Sequence, residues 1–76
     1  MPRLNLTVNV RHEVDGRAFP TSIVWEDGRQ FFVDKVLDIR NAAALKSGGV
    51  GIRYTCKICG KTVQLFDEEG IWFIDK

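Results

Sequence analysis

From Val50 to Ile58 every second residue is apolar: Val50, Ile52, Tyr54, Cys56 and Ile58, with Gly51, Arg53, Thr55 and Lys57 between them. Successive side chains of an extended strand point to opposite faces. This spacing therefore sends one set into a core and the other to water, and no helix can do that with it. The same alternation runs through Leu4, Leu6, Val8 and Val10, with Asn5, Thr7, Asn9 and Arg11 between. Two half-buried strands near opposite ends of a 76-residue chain commit it to a β fold.

The turns agree. Asp15-Gly16, Asp27-Gly28, Cys59-Gly60 and Asp67-Glu68-Glu69-Gly70 each separate apolar runs. Glycine accepts positive φ without steric cost, so such segments mark hairpins. Phe19, Thr21, Ile23 and Trp25 form the expected inward row of a second strand, with Pro20 marking an edge or a bulge. Phe31 and Val33 open a third. Val36, Leu37 and Ile39 then leave the period-2 face, and a bulge near Asp34-Lys35 would restore it and bend the sheet. Val63 and Leu65 carry a fifth strand, and Ile71-Trp72-Phe73-Ile74 a sixth. Residues 41–47 hold the one helical signal, three alanines behind a capping Asn41. It predicts one or two turns of helix, or a loop. No internal repeat is expected.

The predicted fold is mainly all-β, one domain over residues 1–76: a small antiparallel SH3-like barrel of five to six strands, since closure removes exposed edges. A chain this short hides only about 60% of its surface on folding. Its five Phe, one Tyr and two Trp, within a hydrophobic fraction of 45%, suffice for such a core and argue against disorder.

A net charge of +1 is too small to steer the whole molecule toward nucleic acid or acidic lipid, so any such preference must come from local clustering. The N-terminus reads as neither a signal peptide nor a membrane span. The expectation is a complete small cytoplasmic protein with reduced thiols and no membrane association.

Tyr54-Thr55-Cys56-Lys57-Ile58-Cys59-Gly60-Lys61 looks like half of a zinc knuckle, but zinc takes four ligands and the one histidine is the distant His12. The expectation is no metal and no cofactor, with Cys56 in the core and Cys59 in a turn. The alternative is a zinc-bridged dimer through Cys56 and Cys59. His12 reads as an exposed strand-end residue, and Ser47-Gly48-Gly49-Val50-Gly51 precedes a strand, not a helix that would cradle phosphate.

Arg53, Thr55 and Lys57 share an outward face with Lys61 just past the turn, and Arg29, Arg40 and Lys46 are candidates to join them. A basic face with an exposed ring is how small barrels track single strands, and Trp72 is the candidate ring. The binding candidates are thus Arg53, Lys57, Lys61, Trp72 and Arg29.

Trp25-Glu26-Asp27-Gly28-Arg29-Gln30-Phe31-Phe32-Val33, with the later Gly51-Ile52-Arg53-Tyr54 and Gly60-Lys61, resembles small bacterial β-barrel proteins of domain-of-unknown-function families, over about residues 8–74. The resemblance implies a β-barrel and no activity, and it transfers no catalytic residue. The functional expectation is a non-enzymatic binding module, monomer or homodimer, with a protein partner first and single-stranded nucleic acid on the basic face as the alternative.

Overall fold

The structure, a computed structural model, describes residues 3–43 and 50–75. Six antiparallel strands follow in order: β1 (Arg3–His12), β2 (Ala18–Val24), β3 (Gln30–Ala43), β4 (Val50–Ile58), β5 (Lys61–Glu68) and β6 (Ile71–Asp75). Each pairs with the next, and β6 returns to β1, closing a barrel.

Two strands turn the corners. β1 pairs with β6 over Arg3–Leu6 and with β2 over Thr7–His12. β3 pairs with β2 over Gln30–Phe32 and with β4 from Val33 to Ala43. The result is a three-stranded sheet (end of β1, β2, start of β3) facing a five-stranded one (start of β1, β6, β5, β4, rest of β3). A strand passes from one sheet to the other by bulging. β3 carries two bulges after it leaves β2: its pairing with β4 skips Asp34 and then Leu37. The first bulge lies where the loss of alternation predicts it, and the second is an addition.

A third bulge reverses part of the predicted β2 pattern. Asn9 pairs with Ser22 but Val10 pairs with Pro20, so Thr21 is the extra residue. Its hydroxyl donates to the Asn9 carbonyl at 3.1 Å. Beyond the bulge the faces exchange. Pro20 is buried, and Phe19 turns outward between the guanidiniums of Arg11 and Arg17, 5.9 and 5.5 Å from its ring centroid. Of the predicted inward row, Ile23 is buried and Trp25 packs against the core, while Phe19 and Thr21 leave it. Among the described residues β2 has only β1 beside it at Pro20, so a residue with no N–H interrupts no second ladder there.

Leu6, Ile23, Tyr54, Cys56, Ile58, Leu65 and Trp72 form the core, with Leu65 and Cys56 fully buried. Ser22 is the one buried polar residue among those described. Its oxygen accepts from the amides of Asn9 (2.8 Å) and Gln30 (3.1 Å), which meets the cost of desolvating it.

The expected helix is corrected in its first part. Asn41, Ala42 and Ala43 continue β3, opposite Ile52, Gly51 and Val50, because pairing with β4 outweighs the helix preference of alanine. Residues 44–47 lie outside the described residues, as does most of the glycine-rich stretch.

The expectation of no repeat also needs amendment. Residues 15–19 and 27–31 both read Asp-Gly-Arg-x-Phe and build the same turn. In each, a strand-end N–H donates to the arginine carbonyl at 2.8 Å, the aspartate binds that arginine, and glycine sits at φ +90° or +89°. Cys59-Gly60 is a tighter type I′-like turn, both residues at positive φ (51° and 77°).

Candidate functional site

The strand register lays out the outer face of the five-stranded sheet row by row. Lys35 stands opposite Lys57, which stands opposite Thr62. Asp38, Thr55 and Gln64 form the next row, and Arg40, Arg53, Phe66 and Phe73 the third. Two rows thus place like charges directly opposite one another, which costs a sheet roughly 0.2–1 kcal/mol per pair.

Ion pairing sets this face apart. Arg11, Arg17 and Arg29 lie off it, and each is bound to a carboxylate two residues away, at 3.0, 2.7 and 2.6 Å. On the face, Arg40 is held by Asp38 at 2.7 Å. Lys35, Arg53, Lys57 and Lys61 have no ion pair among the described residues, and all four belong to β3, β4 or β5. Arg53 also keeps a buried Nε without a hydrogen-bond partner. Lys57 and Arg53 stand about 13 Å apart along β4, at about 3.3 Å per residue.

The structure sorts the predicted binding residues. Arg53 and Lys57 share the outer face as expected. Lys61 is exposed at the turn but pairs with Ile58, so it sits at the rim of that face. Arg29 does not join them: its guanidinium is bound to Asp27 and lies 5.5 Å from the Phe31 ring centroid, at the β2–β3 turn. Trp72 is the larger correction. It pairs with Leu6 and Asp67 on the inward side, is 8% exposed, and packs on Tyr54. The rings on the outer side are Phe66, partly exposed, and Phe73, itself buried at 7% exposure beneath it, nearly parallel at 12° with centroids 5.2 Å apart. Four consecutive apolar residues, 71–74, left the parity of this strand open. Lys35 was missed, although the predicted bulge beside it would have placed it opposite Lys57.

A cleft adjoins the basic rows. β6 pairs with β5 only over Phe66–Glu68, leaving Lys61–Leu65 without a strand partner on that side among the described residues. Thr62, Val63, Gln64, Phe66 and Ile74 line the opening, about 310 Å³ in volume.

The cysteines do not face a common ion. Cys56 is in the core and its Sγ points to the Tyr54 carbonyl at 3.8 Å, while Cys59 is exposed in the turn. Burial pushes the Cys56 thiol up to about 11, the opposite of what a metal-ligating thiolate requires. This removes the basis for the zinc-bridged dimer. Among the described residues no cluster of three or more His, Cys, Asp or Glu forms, and His12 is exposed at the end of β1. No described helix is long and apolar enough to cross a membrane. Set against models of known protein families, curated proteins and solved structures, the chain matches none of them.

Proposed function

We propose that this barrel is a non-enzymatic binding module that holds single-stranded nucleic acid on the outer face of β3, β4 and β5. One observation carries the reading: the unpaired cations Lys35, Arg53, Lys57 and Lys61 gather on that sheet, while Arg11, Arg17 and Arg29 are each neutralised by a carboxylate two residues away. Like charges kept opposite each other cost stability, and a phosphate chain laid across them reverses the sign of that interaction. The groups with shifted acidity serve structure: Asp15 and Asp27 hold turns, Tyr54 and Cys56 fill the core. That distribution supports a binder over an enzyme. Free thiols at Cys56 and Cys59 support a cytoplasmic setting, and strands shared between two sheets support the SH3-like reading.

The test is oligonucleotide binding by fluorescence anisotropy across a salt series. Four phosphate contacts predict a slope of log affinity against log salt of about −3. Reversing both Lys35 and Lys57 to glutamate is expected to abolish most binding. Unchanged affinity in that variant would reject the reading.

A protein partner is the second reading, favoured by a separate observation. Beyond Phe32, β3 has no partner on its β2 side among the described residues, and Phe32, Leu37 and Ile39 are 66%, 47% and 41% exposed there. Strand addition would use this edge. The bulges at Asp34 and Leu37 interrupt the ladder that an added strand needs, which places this reading second.

A further inference from the structure

We infer that the cleft between β5 and β6 is a nucleobase subsite, so that the module reads its ligand as a strand bearing bases and not as a bare polyanion. The inference rests on the nucleic-acid reading of the adjoining face. Thr62 connects the two: it is opposite Lys57, follows Lys61, and lines the cleft. A strand whose phosphates contact Lys57 and Lys61 therefore carries a base to the mouth of the opening.

The lining suits a base in three ways. Phe66 offers a partly exposed ring, and every base has a π face to stack on one. Thr62 and Gln64 each both donate and accept hydrogen bonds, as the edge of a base requires. Val63 and Ile74 supply an apolar floor against which a flat ring loses water. The volume, about 310 Å³, lies at the lower end of ligand-site sizes and fits one heterocycle, not a folded segment. The opening is a consequence of topology. Trp72 and Phe73 pair with β5 and β1 together, whereas Ile74 and Asp75 pair with β1 alone, and the gap opens where the pairing with β5 stops.

The experiment compares a short oligothymidylate with an abasic strand of the same length, binding to the full chain at one low salt concentration. Stacking of one base predicts about 5- to 150-fold tighter binding of the base-bearing strand. Phe66→Leu and Gln64→Ala, each checked for a native circular dichroism spectrum, are expected to shrink that ratio while leaving abasic affinity unchanged. Equal affinity of the wild-type protein for both strands would overturn the subsite and leave the phosphate-binding reading standing. A preference that both variants retain would also overturn it, since the base would then be read elsewhere. Binding of neither strand would overturn both proposals.

Discussion

The Trp72 indole lies against the Tyr54 ring with centroids 5.0 Å apart and planes tilted by 37°, tying β6 to β4 across the inside of the barrel. Leu6 is the register partner of Trp72 and Leu65 that of Tyr54, so four strands meet at this contact. Burial, then the nearby Asp67 carboxylate, then Cys56 raise the Tyr54 hydroxyl above its ordinary 10.0.

Trp72→Ala is expected to remove about 3–5 kcal/mol of stability, against about 5–15 kcal/mol for a typical domain. Trp72→Phe keeps a ring beside Tyr54 and is expected to cost less. Urea denaturation of the two variants checks this. A near-neutral Trp72→Ala would mean that the indole lies outside the core.

Lys35 and Lys57 predict the opposite sign. Replacing Lys35 by glutamate converts a repulsive cross-strand pair into an attractive one, with an expected gain of roughly 0.2–1 kcal/mol. The gain is read as a raised denaturation midpoint at unchanged slope. It should fade with added salt, because both side chains are exposed.

The cysteines differ in reactivity. A thiol reagent at neutral pH is expected to modify Cys59 alone in the folded protein and both residues in denaturant. Cys56 holds its proton to about 11 when folded, against 9.0 ordinarily. Its contribution to stability is thus fully present below pH 9.0 and is lost as pH rises toward 11. Tyr54 acts in the same direction, so Cys56→Ala is expected to flatten the alkaline loss only in part.

Acid reports on the paired turns. The Arg17 backbone N–H donating to Asp15, and that of Arg29 donating to Asp27, hold these carboxyls below their ordinary 3.8. Their contribution is present above pH 3.8 and is lost as pH falls through the lowered folded values. Asp27→Asn keeps the turn shape and removes one titrating group. Its stability is expected to fall less steeply in acid than that of the wild type, by thermal melts over a pH series.

Local patterns made much of the barrel legible. The rows Leu4–Val10 and Ile52–Ile58 could face only one way, the glycine turns were marked, and the broken pattern after Val33 announced the bulge at Asp34. Phe19 was not legible, because its side depends on one extra residue, Thr21, opposite the junction of Asn9 and Val10. Asn41–Ala43 were not, because a local helix preference is weak beside pairing with Val50–Ile52. In β6 both faces are apolar, so only the partners Leu6 and Phe66 show that Trp72 points in and Phe73 out.

The amino-acid sequence by itself therefore determined where the chain extends, where it turns and which residues of β1 and β4 go inward. Those choices depend on neighbours within a few positions. Tertiary structure decided which cations stand unpaired on one sheet, which ring faces outward and where a cleft opens. Those outcomes depend on register between distant strands, and a bulge of one residue is enough to reverse them.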